Sequence, residues 1–349
     1  MFEELLQDWD GEESVIRYDA ESGAWMFVCI HSTACGPAGG GTRLRVYPTP
    51  ADGLADAMRL SGAMTRKMAV AGMPLGGGKA VLAVPELPEG EARRRLLLRY
   101  GRLVESLGGT FRTAGDMNIT PTDLDVVSET CRWVLGSTGR GGDSGRGTAR
   151  GVLHGIEASV EHIFGSPDLD GRSVLVQGVG AVGHDLARQL AEAGARVLVS
   201  DVDEARAGRV AAEIGGELLP ADDALTIECE VYAPCAVGGT LSAETIPTLG
   251  CRIVAGSANN QLVEPEDAAR LHAAVILYAP DYVINAGGVL QLAGLENLDW
   301  DEAELERRLA GIGDTLRGLY RDADANGITP AEAAERLAAA RVAAALSSK

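Results

Sequence analysis

Three observations predict an α/β protein of two domains. The chain has 349 residues, more than one compact core ordinarily holds. A run that is half glycine, GSTGRGGDSGRG (136–147), interrupts all hydrophobic periodicity. Beyond it, strand-like and helix-like segments alternate to about Tyr278, the pattern of a parallel sheet with helices on both faces.

The elements follow in order. Ser14 to Ile30 carries two short apolar runs separated by Ser-Gly, which reads as a β-hairpin. Apolar residues recur at helical spacing over 51–64 and 91–107. Between them AVLAV (80–84) reads as a buried strand. Thr120-Pro121-Thr122-Asp123 offers an N-cap, a proline at the first helical position and an acid at the third, so a helix should start there with Asp116 in the loop before it. The glycine-rich run is a flexible linker or a hinge between domains, since a loop that long inside a compact domain is usually functional or a linker. A helix is expected over 149–164, then a strand at 173–177, a helix at 180–193 and a strand at 196–200. Thr329-Pro330-Ala331-Glu332 opens a last helix with another capping box. The expected organisation is a substrate domain over 1–135, a hinge over 136–147 and a dinucleotide-binding domain over 148–319. Helices from about 320 to 349 should pack back on the first domain, and a cleft should separate the two.

Composition narrows the function. The formal charge of −19 repels nucleic acid and anionic membrane, so neither is expected as a partner. The six cysteines include no CxxC pair and no zinc spacing; no metal site is expected, and scattered thiols suit a reduced, cytoplasmic protein. The N-terminus is acidic and has no apolar run of signal-peptide type, and no window is apolar enough to span a membrane.

GVGAVG (178–183) supplies the first chemistry. It follows a strand directly, opens a helix, and is followed by a second strand that ends at Asp201, 18 residues past Gly183. In this Rossmann-type arrangement Gly178 makes the tight turn, Gly180 lets the pyrophosphate approach the helix N-terminus, and Gly183 lets helix and strand pack closely. Asp201 is placed to accept from ribose hydroxyls, which favours NAD over NADP; Asp203 adds to the repulsion of an extra phosphate, and Arg206 is a contrary hint.

PLGGGKAV (74–81) resembles a phosphate loop but lacks two of its parts: Met73 stands where the first glycine belongs, and Ala80 where Ser or Thr would hold Mg²⁺. Its glycines let the backbone approach something closely. Lys79, entering a buried strand, either snorkels from the turn or has a depressed pKa and acts as a general base. Lys67 lies twelve residues earlier in apolar surroundings; two lysines at one pocket would divide the work between anion clamp and base. Asp116 either shuttles a proton or caps a turn.

Taken together, GPAGGGTR (36–43), GAMTRKMAVAGMPLGGGK (62–79), TAGDMN (113–118), GVGAVG, APCAVGG (233–239), VAGSANNQL (254–262) and LYAPDYVINAGGV (277–289) resemble one family nearly end to end. It is the amino acid dehydrogenases that include leucine, valine and phenylalanine dehydrogenases, with glutamate dehydrogenase a more distant relative. The resemblance implies reversible oxidative deamination: an L-amino acid, water and NAD⁺ give a 2-oxo acid, ammonia and NADH. It implies that Lys67 holds the substrate carboxylate, Lys79 activates water, Asp116 moves protons at the amino nitrogen and Asn260 helps position the substrate. It places Gly39, Ala114, Val289 and Leu292 around the substrate side chain and Thr148 at the cofactor. It also implies closure of the two domains over the substrate, and a homo-oligomer. Glutamate enzymes carry a lysine in the region of Gly39; three glycines here disfavour a buried carboxylate, leaving branched-chain or aromatic substrates. Arg146 and Arg150 depart from the family pattern and have no expected role. A second reading, a catalytically silent NAD-binding regulatory protein of the same fold, would be favoured by loss of a lysine or of Asp116, and all are present.

Overall fold

The computed structural model describes residues 2–139 and 144–348. The chain divides into two compact units: Met1–Gly142 with Leu295–Leu298 and Leu337–Lys349, and Asp143–Gly294 with Asp299–Arg336.

The first unit contains helix α1 (Phe2–Asp8) and strands β1 (Glu13–Asp19), β2 (Ala24–Ser32) and β3 (Ala38–Val46). Helix α2 (Pro50–Val70), β4 (Gly76–Val84), α3 (Gly90–Ser106), β5 (Phe111–Gly115) and α4 (Pro121–Ser128) follow. The strands form one sheet in the order β1-β2-β4-β3-β5. The expected hairpin is β1–β2, and β4 pairs antiparallel with β2 but parallel with β3. Alternation along β2 assigns the two faces. Met26, Val28 and Ile30 pack with Leu96, Leu97, Tyr100 of α3 and Leu124, Val127 of α4. Phe27 and Cys29 pack with Leu54, Ala57 and Met58 of α2. Every residue of β4 is buried, as a strand covered on both faces must be. Both α2 and α4 begin with complete capping boxes, Thr49/Asp52 and Thr120/Asp123, each with proline in the first turn.

The second unit begins with α5 (Ser144–Phe164) and continues through β6 (Ser173–Gln177), α6 (Ala181–Glu192), β7 (Arg196–Ser200), α7 (Glu204–Ile214) and β8 (Glu217–Leu218). Then come β9 (Val231–Pro234), β10 (Ile253–Val254), α8 (Asp267–Ala273), β11 (Leu277–Tyr278), α9 (Asp281–Ile284), α10 (Gly287–Asn297), α11 (Glu302–Asn326) and α12 (Pro330–Ser347). Its six strands are ordered β11-β10-β9-β6-β7-β8, every described pairing being parallel. The order reverses between β6 and β9, which is where open α/β sheets bind ligands.

Two expectations need correction. Of the glycine-rich run, 140–143 lie outside the described residues, and 144–147 already belong to α5. Helix α11 runs on past residue 320 within the second unit, its Tyr320 hydroxyl 2.7 Å from Ser159 of α5 and its Arg317 2.7 Å from Glu161. Only the end of α12, from Leu337, belongs to the first unit, where Arg341 donates to the Ala69 and Val70 carbonyls at 2.8 and 2.7 Å.

Candidate active site

Lys79 lies on β4 directly across from Cys29 of β2, on the face that α2 covers. It is 6% exposed. Its Nζ is 2.6 Å from Oδ2 of Asp116, in the loop after β5. Arg43 of β3 donates from Nε to the same oxygen at 3.0 Å. The other arm of Arg43 donates to Asp56 of α2 at 2.8 Å, and Asp56 also accepts from the Tyr47 hydroxyl at 2.7 Å and from Arg59 at 2.8 Å.

Charge states follow from this arrangement. Burial pushes the Lys79 ammonium below its ordinary value; Asp116 pulls the other way, and Arg43 adds to the depression. Burial alone would raise the Asp116 carboxyl. Lys79, then Arg43 and the Met117 backbone N–H, outweigh it and leave the group below the usual carboxylate range. A lysine that gives up its proton readily beside a carboxylate that keeps its charge is a pair suited to proton transfer.

The glycines before Lys79 do allow a close approach, and the partner is the protein itself. A Cβ at Gly77 would lie 2.1 Å from the backbone N of Thr65 in α2; one at Gly76 would lie 1.9 Å from the Ser32 carbonyl, and one at Gly78 would lie 2.8 Å from the Phe111 ring. They admit the protein's own backbone and side chains, and Gly77 brings α2 down onto β4. That contact sets the height of Lys67, two residues past Thr65 in the last turn of α2 and half-buried. Gly39 and Ala114 lie on the same sheet face, because Gly39 pairs with Gly77 and Ala114 with Gly41. Beside Gly39 the space is apolar: its Cβ would meet Met68 Cε at 3.0 Å and Leu75 Cδ1 at 3.8 Å.

In the second unit, GVGAVG joins β6 to α6. Gly178 has φ +88°, and its N–H donates to the Ser200 carbonyl at 2.7 Å. A Cβ at Gly183 would strike the Gly178 carbonyl at 1.9 Å. Gly180 is different: it caps α6 with φ −69°, and a Cβ there would meet nothing within 4 Å. Neither backbone conformation nor internal packing calls for glycine, which fits a site left open for a phosphate at a helix N-terminus. Asp201, just past β7, is buried and accepts from the Val179 N–H at 2.8 Å and the Asp203 N–H at 2.9 Å. These residues fit a nicotinamide dinucleotide. If so, Gly180→Ala leaves the melting temperature unchanged and weakens NADH binding about tenfold or more in a fluorescence titration. Unchanged affinity removes Gly180 from the cofactor site.

The remaining expected residues are also in the second unit. Asn260 is exposed, with φ +52°, and its carbonyl accepts from the Gly239 N–H at 2.7 Å. Its neighbour Asn259 is fixed by Asn285 Nδ2 at 2.9 Å. Val289 and Leu292 are half-buried positions one turn apart on α10, between the buried Leu290, Gln291 and Ala293. Thr148 donates to the Ser144 carbonyl at 2.9 Å inside α5. Arg150, without a role in the sequence, pairs with Glu306 of α11 at 2.7 Å, and His154 reaches the same carboxylate at 3.1 Å; Arg146 is exposed. Among the described residues no group of three or more His, Cys, Asp or Glu could hold a metal ion, and no helix is long and apolar enough to cross a membrane.

Sequence reasoning missed Arg43, Asp56 and Tyr47. Arg43 ends the quoted GPAGGGTR, but its partner Asp116 is 73 residues away, and nothing local marks the contact.

The family model of the Glu/Leu/Phe/Val dehydrogenase dimerisation domain matches residues 18–138, and that of glutamate/leucine/phenylalanine/valine dehydrogenase matches 202–349. The chain belongs to this family of amino acid dehydrogenases. The dehydrogenase is 44% identical to valine dehydrogenase of Streptomyces virginiae over 95% of its own length and 93% of the relative's. It is 39% identical to leucine dehydrogenase of Thermoactinomyces intermedius, covering 97% and 93%. Among solved structures, L-tryptophan dehydrogenase from Nostoc punctiforme superposes with a TM-score of 0.86 at 37% identity, covering 99% of each chain. The family implies a nicotinamide dinucleotide cofactor, and the chain is an amino acid dehydrogenase of that family.

Proposed function

We propose that the dehydrogenase catalyses the reversible, NAD-dependent oxidative deamination of a hydrophobic L-amino acid, branched-chain or aromatic. The observation that carries this reading is the contact of buried Lys79 with half-buried Asp116, 2.6 Å apart, on the sheet face that α2 covers. Lys67 holds the substrate carboxylate. Asp116 takes a proton from the amino nitrogen, and a nicotinamide dinucleotide held at the GVGAVG turn would supply the oxidation by accepting a hydride from the α-carbon. Neutral Lys79 then removes a proton from water as its oxygen bonds the imine carbon. Asp116 returns its proton to the nitrogen, the C–N bond breaks as the hydroxyl oxygen forms the carbonyl and gives its proton to solvent, and ammonia and the 2-oxo acid leave. Asn260 positions the substrate, and Gly39, Ala114, Val289 and Leu292 surround its side chain.

NAD is favoured over NADP because Asp201 sits where ribose hydroxyls bind. Arg206, the contrary hint, lies 3.3 Å from Asp203 and 3.6 Å from Asp201, so its charge already faces acids. A hydrophobic substrate is supported by Met68 and Leu75 around Gly39. Arg112, across from Gly39 in the β3–β5 register, lays its guanidinium over the Trp133 ring at 5.6 Å. The names of the valine, leucine and tryptophan relatives span the same substrate class. One methylene is worth only about 1–3 kcal/mol of discrimination, so turnover of more than one of these amino acids is expected. NADH absorbance at alkaline pH with leucine, valine, phenylalanine, tryptophan and glutamate, each with NAD⁺ or NADP⁺, is the test. Turnover with a hydrophobic substrate and NAD⁺ is expected; glutamate or NADP⁺ as the best partner overturns the finer assignment. We also read the dehydrogenase as a cytoplasmic homo-oligomer: none of its six cysteines forms a disulfide, and the family model matching 18–138 is that of a dimerisation domain.

A further inference from the structure

One side chain touching the reacting pair has no part in the reading above. Arg43 shares Oδ2 of Asp116 with Lys79, at 3.0 Å against 2.6 Å. It is held from behind by Asp56, itself fixed by Tyr47 and Arg59. Asp56 precedes Lys67 on α2 by eleven residues, three turns, so the two share one face of the helix. The side chains of Arg43 and Asp56 are 14% and 13% exposed, so this is no solvated surface pair. A guanidinium gripped at both ends by carboxylates has little freedom, and unlike lysine it does not lose its charge.

We propose that Arg43 is a positioning residue for the deamination: anchored on Asp56, it fixes Asp116 against Lys79 and supplies a permanent positive charge beside that pair. The proposal rests on the reading of Lys79 as the base.

Its consequence is electrostatic. The groups facing Lys79 are Asp116 from the loop after β5, Arg43 from β3, Asp56 from α2 and the Cys29 thiol from β2. Burial pushes that thiol up to about 11, so it stays neutral. Both carboxylates favour charged Lys79, and Arg43 alone among these groups opposes it. Arg43 therefore offsets the attraction of Asp116 that would otherwise keep the proton on the lysine, while leaving Asp116 ionised.

The test is kcat against pH in the oxidative direction, with saturating substrate, for the wild type, Arg43→Gln, Arg43→Lys and Asp56→Ala. In Arg43→Gln the rising acid limb moves to higher pH: at a pH on the limb the rate falls about tenfold or more, and the loss is recovered under alkaline conditions. Arg43→Lys keeps the charge, so its limb stays near the wild-type position while kcat falls, because one ammonium cannot bridge both carboxylates. A limb that does not move in Arg43→Gln, whether the rate is normal or uniformly reduced, overturns the proposal and leaves Arg43 a structural ion pair. If Arg43→Gln fails to fold, Asp56→Ala decides. Loss of that anion moves the limb to lower pH with reduced kcat, and a limb that stays or rises overturns the proposal. Full turnover by Lys79→Ala would instead remove Lys79 as the base, a separate failure.

Discussion

Replacing Lys79 with alanine is expected to reduce deamination by about a thousandfold or more while leaving NADH binding unchanged. The loss is large because nothing else described at the site can take over. Asp116 still faces Arg43 at 3.0 Å, which favours its charged, weakly basic form, and Arg43 itself keeps its charge. The fold should survive, since Asp116 retains the Arg43 contact at 3.0 Å and is not left as an unpaired buried charge. NADH binding should survive because the GVGAVG turn and Asp201 belong to the other compact unit. Steady-state rates and a fluorescence titration on the same preparation separate the two readouts. A variant with wild-type kcat refutes the assignment of the base, and one that loses both activities indicates a folding defect.

The second large effect is steric. Gly77→Ala places a Cβ 2.1 Å from the backbone N of Thr65 and 2.2 Å from its Oγ1. The obstacle is helix backbone, and α2 is tied to the sheet by Leu54, Ala57 and Met58 in the core with Phe27, Cys29 and Val81. The helix has to lift from β4 as a body, at a cost of about 1–3 kcal/mol or more. Lys67, the proposed carboxylate clamp, rises with it, and a misplacement of about 1 Å at such a group costs on the order of a hundredfold. The expected result is a lowered melting temperature together with a rise in KM for the amino acid. Gly180→Ala, on the turn before α6, is the contrasting control, since its Cβ meets only open space. Wild-type stability and KM in Gly77→Ala would show that the close approach of α2 to β4 is not required.

How far each feature was legible depends on how local its cause is. The strand–turn–helix at GVGAVG and the acid after the next strand were legible as local structure, because they lie within one contiguous stretch. The capping boxes at Thr49 and Thr120 depend on contacts three residues apart, and that at Thr120 was readable for the same reason. Lys79 was harder. Residue chemistry alone left it between a snorkelling lysine and a base, and only the similarity of seven motifs to one family gave it a role. Arg43 was invisible, since its contacts to Asp56 and Asp116 cross 13 and 73 residues of chain. The hinge reading went too far into the second unit, because glycines at 145 and 147 do not stop α5 from starting at Ser144.

The sequence alone was enough for the α/β class, the glycine turn between β6 and α6, and membership of a family of amino acid dehydrogenases. The tertiary structure decided what the glycines before Lys79 are for and which charges surround that lysine. Glycine spacing announces a close approach but not its partner, and here the partner at Gly77 is the protein's own helix. Desolvation and Coulomb attraction act through space. The charge carried by Lys79 is therefore set by burial, Asp116 and Arg43, which meet only when β3, β4 and the loop after β5 lie side by side.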